Sequence, residues 1–545
     1  MKNLLLFVVC ICISGIVSLI MGQDVGIDLL NYHLYIPYAF LHHRLGTDLI
    51  AAGPVHTFFN PLPDIPYFLL FYYLNDWPRL TAFLKAVYSG IILFTLCKWV
   101  PLLFKGKSWQ NKVLKIALIC FALTGLGALP QVGFASNEEL MTCFAVIGAY
   151  LLFRGTDGQL HFRLKHILLA TFLVSFATGL KYTAAPAACG VGLCCLFLLI
   201  KNKSSFKAYL AVMGTALGGF LLTNGYFLWQ KWHLFGNPLF PFFNHIFKSP
   251  FFPAISLPNS TLTPHTWQEY LFLPLLRLNY PDFGEYRLDF RLLLGLISFV
   301  ILAVSGLVFY IKKRRALSKN YLLLMGLFTG TYIPWIILFG NTRYSILLEI
   351  LSCFLFTRIL LIKRASKMLV SVLLLLFSIY SAFFVQEAVF KVQRQSFAKR
   401  NITFSQEVVV PDDALVIVAG HYSALVPFLN PKAQYMGGIQ FVAEKLHASH
   451  GDVLSVQFFH PKDYYRHNFP IREKIKNHQG PIYLLVPFLY WVWGEDFWKD
   501  YGLDTKTHYC QVFDTNLTHY KYRMALCKVN KSPAGRTLRA ATLMR

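Results

Sequence analysis

Apolar residues gather in long runs separated by short polar breaks, which is the pattern of membrane-spanning helices. A helix needs roughly 20 apolar residues to cross about 30 Å of hydrocarbon. Eleven runs fit: 3–21, 80–104, 112–130, 139–154, 164–181, 182–201, 207–229, 289–310, 320–339, 343–362 and 367–386. The run at 139–154 is short, and the break at 181/182 rests on Lys181 and on Pro186 just after it. Three stretches fall between or after the runs. Residues 22–79 hold an amphipathic segment (about 26–44) and a short apolar helix (about 64–75), and 230–288 is rich in Phe, Pro and Trp. From 387 the period changes. Strand-like runs at Ala414–Ala419, Pro481–Val486 and Tyr522–Cys527 alternate with polar helical ones, which predicts a small α/β domain. The expected fold is thus a polytopic α-helical membrane protein of about 11 spans followed by an α/β domain. The boundary is placed at 390, giving 1–390 and 391–545.

Composition agrees. Apolar residues make up 56 % of the 545 and charged residues 14 %, against about 25 % charged in soluble domains. A net charge of +25 would suggest nucleic acid in a soluble chain. Here the positive-inside rule explains it, so no nucleic-acid partner is expected. With the N-terminus cytoplasmic, the inner segments hold 21 Lys and Arg against one acid, Asp157. The stretch 22–79 holds five Asp with Arg44 and Arg79. That orientation puts the C-terminal domain outside, in a periplasm or its equivalent. Lys2 before an apolar run suits a signal peptide, but no small-x-small cleavage site follows, so the first run reads as an uncleaved helix. Nine of the eleven Cys lie in spans; Cys510 and Cys527, in the tail, are free to pair or not.

No phosphate-binding glycine loop, dinucleotide fingerprint, nucleophile elbow or zinc-helix motif is present, which disfavours a nucleotide-driven pump or a soluble-type hydrolase. The informative polar residues collect at the outer ends of spans. Asp24 and Asp28, followed by Asn31, Tyr32 and His33, share a face at i, i+4 if the segment is helical. Two carboxylates so placed suit a general base or a hard-metal ligand set for Mg or Mn; the plainer reading is a solvated helix start. Glu138 and Glu139 open the fourth run, where a helix N-terminus favours acids with or without chemistry. Lys181, in Gly179-Leu-Lys-Tyr-Thr183, and Arg343-Tyr344 are outer-side cations, suited to a phosphate or to anchoring at the interface. Lys231-Trp-His233 through Lys248 interleaves aromatics with Lys and His, fitting a lipid phosphate or simply the headgroup zone. Charges at membrane depth are costly and mark sites, and four distant segments supply them on one side.

This layout resembles the GT-C superfamily of membrane glycosyltransferases, over roughly residues 1–390. The resemblance implies a transfer from a polyprenyl-phosphate sugar to an acceptor hydroxyl, inverting, in the cytoplasmic membrane. It implies Asp28 as catalytic base, with Asp24 second, and Glu138 or Glu139 as the acid of the second outer loop. Lys181 and Arg343-Tyr344 match the family's phosphate-side positions. The Pro-rich segment Asn60-Pro-Leu-Pro-Asp64 lacks the lysine of some relatives, so that contact falls to His56 or Lys181, with His33 nearby in sequence. Sugar and acceptor are not named by the residues. A lipid or polysaccharide flippase should show inverted repeats, and none is seen. A non-catalytic scaffold of an envelope-glycan pathway would tolerate loss of Asp28.

Overall fold

The computed structural model describes residues 1–45, 47–53, 55–156, 161–252, 289–311, 319–362, 365–438, 471–488, 502–504, 509–518 and 523–532, with 254, 264 and 266–270. The chain packs as two compact units that do not follow chain order. The first is Met1–Asp24, Arg79–Leu228 and Pro258–Ser396; the second is Val25–Pro78, Trp229–Leu257 and Phe397–Arg545. A division at 390 follows chain order, whereas the packing groups 25–78 and 229–257 with the tail.

In the first unit a helix occurs at each of the eleven apolar runs. Among the described residues six helices are long and apolar enough to cross a membrane: Lys2–Met21, Pro78–Leu103, Tyr182–Lys201, Phe206–Phe235, Arg291–Val308 and Asn320–Leu338. The others are shorter or less apolar, such as the 15-residue Trp109–Leu123. Apolar side chains fill both the interior and the outward faces. Trp99, Phe153 and Phe354, from three helices, meet edge-on or tilted at 5.2–5.4 Å. Leu210, Met213, Leu217 and Leu221 are exposed, as a lipid-facing stripe would be. Many hydroxyls bond back to the carbonyl four residues earlier, as in Thr95 to Ile91 and Thr329 to Met325, which pairs them in an apolar setting, whereas Ser352 and Thr357 are buried with no hydrogen-bond partner among the described residues. Helices Ala185–Lys201 and Lys319–Leu338 touch through glycine. A Cβ on Gly330 would stand 2.9 Å from the Gly190 Cα, so neither position admits a side chain without separating them.

The second unit is built on a mixed sheet. Its spatial order is Gln434–Gly438, Leu415–Ala419, Ile482–Pro487, Met524–Lys531 and Leu503–Asp504, with Cys510–Phe513 also paired to Met524–Lys531. The first three strands are parallel, with Leu415 opposite both Gln434 and Ile482. Met524–Lys531 runs antiparallel to Ile482–Pro487. Every residue of Leu415–Ala419 and Ile482–Pro487 is buried, as expected for near-continuous apolar runs covered on both faces. The three strand-like runs of the sequence are therefore present, and Cys510 and Cys527, opposite each other in register, form a disulfide.

The loop after the first helix belongs to this unit for visible reasons. Leu49 bridges to Met436 at the sheet edge, donating to and accepting from the Tyr435–Gly437 backbone. The Asn401 amide donates to Phe71 and Leu74 carbonyls. Arg44 grips both oxygens of Asp48 at 2.7 Å and also donates to the Pro431 and Ala433 carbonyls. Asp48 accepts in addition from Tyr35 (3.1 Å) and from the Tyr435 amide (2.9 Å). Burial opposes the Arg44 charge, but the Asp48 pair more than offsets it and raises its pKa, while burial and Asp48 push the Tyr35 phenol well up.

Candidate functional site

In the first unit, three of the outer-end features come together. The helix Glu138–Gly155 begins with two acids, where the N-terminal amides favour negative charge. The chain breaks at Lys181, which is extended (φ −151°, ψ 125°) between Leu164–Leu180 and the short turn Tyr182–Ala184. That break lets the Lys181 side chain leave the helix direction and reach Glu138, with which it forms a close ion pair. Thr183 donates to the other Glu138 oxygen at 3.2 Å. The turn Thr342–Tyr344 adds the third part. It is capped by Asn341, which accepts from the Arg343 amide at 2.9 Å, while Trp335 Nε1 donates to the Asn341 carbonyl at 2.7 Å. This fixes Tyr344 between two cations: Lys181 Nζ lies 6.0 Å and Arg343 Cζ 5.4 Å from its ring centroid. Arg343 also donates to the Tyr344 hydroxyl at 3.2 Å. Glu138 is buried and Lys181 is 15 % exposed. Glu138 thus holds Lys181, and Arg343 brings a second cation to the same Tyr344 ring, an arrangement suited to an anion such as phosphate.

Glu139 does not join this group. It is buried, and the Ser89 hydroxyl donates to it. Asp24 also takes a different place from the one expected. Gly22, at φ +87°, ends the first helix, and Gln23–Asp24 runs as an extended strand antiparallel to Arg394–Gln395. The Asp24 carboxylate accepts from the Ala135 amide at 2.7 Å. The shared helical face of Asp24 and Asp28 expected from the sequence is therefore not formed. Among the described residues no three His, Cys, Asp or Glu side chains are grouped as a metal ligand set.

In the second unit, Asp28 is half-buried and stands before one turn of π-helix, Leu29–His33. Such turns concentrate at functional sites. His33 and His56, both candidates from the sequence, fall around this turn. His33 Nδ1 lies 2.5 Å from Asp64 Oδ1, and His56 stacks on Tyr32 at 4.7 Å. Sequence reading missed Asp64 and Thr183 as partners. The signals were present, an acid just before an apolar helix and a hydroxyl two residues past Lys181, but neither marks a pairing by itself.

No family model matches the chain, and neither does any curated sequence. Among solved structures it is similar to the crystal structure of ArnT from Cupriavidus metallidurans bound to undecaprenyl phosphate. The likeness covers 96 % of this chain and 97 % of that one, with a TM-score of 0.51 and 12 % identity. The likeness is one of fold: the chain is folded as ArnT is.

Proposed function

We propose that the protein is an inverting glycosyltransferase of the cytoplasmic membrane. It moves a sugar from a polyprenyl-phosphate carrier to an acceptor hydroxyl at the outer face. The observation that carries this reading is the gathering of Lys181, paired with Glu138, and Arg343 at the Tyr344 ring. A transfer of this kind builds charge on the departing phosphate, and fixed cations lower that barrier. The lipid phosphate bound by ArnT, a protein of the same fold, supports phosphate as the anion. Asp28 is the base that takes the proton of the acceptor hydroxyl, with Asp24 second in line. The hydroxyl oxygen attacks the anomeric carbon, and the phosphate leaves with the electron pair of the broken bond. A divalent cation, where one takes part, would add positive charge at the phosphate; no step here depends on it. The orientation that fits the charge bias has the N-terminus inside and the sheet-bearing tail outside.

The test is transfer by the purified, reconstituted protein, offered radiolabelled polyprenyl-phosphate sugars and a membrane-extract acceptor pool, with and without chelator. Transfer by wild type that is lost in Asp28→Asn, with folding retained, is the expected result. Activity retained in Asp28→Asn moves the base to Asp24. Absence of transfer with every donor overturns the reading and favours a flippase or a scaffold.

A further inference from the structure

In the first unit, the segment between helix Trp109–Leu123 and the short turn Leu129–Gln131 is gripped by two carboxylates from elsewhere in the chain. The Leu126 amide donates to Asp289 at 3.0 Å and the Gly127 amide to Glu349 at 2.8 Å. Asp289 has its own counter-charge. Arg291 donates to it at 2.6 Å, and also to the Phe121 carbonyl and the Thr124 hydroxyl. Glu349 forms no ion pair among the described residues. It is 1 % exposed, and its second oxygen is buried with no hydrogen-bond partner among them. An unmatched carboxylate oxygen is costly in an apolar setting, and an apolar side chain would fill the place without that cost. The carboxylate therefore does something that packing does not require.

What it holds lies beside the phosphate-side cations. Glu349 is in the first turn of helix Ile346–Ile362, which follows the turn Thr342–Tyr344. Gly127 is wedged between the two. A Cβ on it would stand 2.8 Å from Glu349 Oε1 and 2.8 Å from the Thr342 carbonyl oxygen. That carbonyl is itself held, accepting from the Ser345 amide at 2.9 Å and the Ser345 hydroxyl at 2.7 Å. A Cβ on Gly125 would collide with the other Glu349 oxygen. Two glycines thus mould the backbone around one carboxylate, and that backbone meets the carbonyl of the residue before Arg343.

Resting on the glycosyl-transfer reading above, we infer that Glu349 and Gly127 are positioning residues of the phosphate site. The bond from the Gly127 amide to Glu349 holds residues 125–127 against the Thr342 carbonyl, and this contact sets where Arg343 and Tyr344 stand. Lys181 and Arg343 face the same Tyr344 ring, so a displaced turn alters the place of one cation relative to the other. Fixed charges serve a departing phosphate only where they are aimed at it, and a misplacement of about 1 Å can cost roughly 100-fold. Glu349 acts through the turn and not on the donor.

The experiment uses the full chain in nanodiscs with two readouts: the transfer assay above, and direct binding of polyprenyl monophosphate, the carrier without its sugar. Gly127→Ala forces the contact with Thr342 apart and is expected to weaken polyprenyl monophosphate binding, and to raise donor KM, about tenfold. Glu349→Met, which leaves the Gly127 amide without its acceptor, should do the same. Glu349→Gln keeps an oxygen for that amide and should stay within about threefold of wild type on both readouts. Should Gly127→Ala fold poorly, the two Glu349 variants carry the test. Wild-type binding and KM in either folded Gly127→Ala or Glu349→Met, or a loss confined to melting temperature, overturns the positioning role alone. So does a Glu349→Gln as weak as Glu349→Met, since charge rather than placement would then be acting. A wild type that neither binds polyprenyl monophosphate nor transfers a sugar overturns the role together with the reading it rests on.

Discussion

Two buried ion pairs, one in each unit, use the same chemistry to opposite ends. In Arg44–Asp48 the accounting closes. Three guanidinium nitrogens donate to four acceptors, and both Asp48 oxygens accept from more than one donor. In Lys181–Glu138 it does not. Glu138 has both oxygens engaged, but Lys181 gives its charge to one carboxylate while facing the same ring as Arg343. A closed pair holds loops together; a pair whose lysine still has donors to give is placed to take a ligand. The contrast turns burial, which both pairs share, into a weaker guide than donor balance.

The largest expected effect tests the closed pair. Arg44→Met leaves Asp48 buried with its main partner gone, which costs about 3–5 kcal/mol. Unfolding of the full chain in nanodiscs should begin at a clearly lower temperature, with transfer per folded molecule unchanged. A normal melting profile would show that the pair is not what joins residues 44–49 to the sheet. The open pair should answer the other way. Lys181→Met should cut transfer about 100- to 1,000-fold, the scale of one lost charge-stabilising donor, with little change in melting. A stability loss that matched the activity loss would make Lys181 structural.

How far this was legible in the sequence differs between the units. Helix positions could be read because span length is imposed by the bilayer and each run is local. The break at Lys181 could be read because an interior lysine followed by Pro186 is a poor helix continuation. The strands 415–419 and 482–487 could be read because a sheet covered on both faces leaves nearly unbroken apolar runs. Lys181, Glu138, Arg343 and Tyr344 were legible one at a time, as charges on the costly side, but not as one cluster. The segment from Asp24 to His33 is not the single helix that a shared Asp24–Asp28 face requires, because its structure is set from far away. Asp24 is drawn into pairing with Arg394, and the π-turn is fixed by Ser423, 392 residues beyond Asn31. No local pattern carries those partners.

A smaller effect sharpens the open pair. Glu138→Gln keeps the shape but removes the negative charge that offsets Lys181 beside Tyr344. Donor KM should fall, because anion binding gains. The kcat should drop about tenfold, or roughly 1.4 kcal/mol, because Lys181 loses the carboxylate that aims it. A rise in KM would mean that Glu138 contacts the donor directly rather than through Lys181.

The smallest effect comes from a third ion pair, exposed on the second unit, which marks the limit of the comparison. Lys432 Nζ lies 2.8 Å from Asp412 Oδ2, and Asn430 donates to the other oxygen at 2.8 Å. These bonds, the one from Lys432 foremost, hold the Asp412 carboxyl below its usual range, although both side chains face water. A group with a lowered folded pKa adds stability above its unfolded pKa and loses it as pH falls through the folded value. Whatever Asp412 contributes is therefore complete at neutral pH and disappears only below about pH 4. Wild type and Asp412→Asn should differ slightly in denaturation midpoint at pH 7, wild type higher, and converge near pH 3. High salt should shrink the difference at pH 7, since the charges are solvated, whereas it should leave the buried Arg44–Asp48 pair almost unchanged. A difference that persisted at pH 3 would assign the effect to the asparagine side chain rather than to the charge.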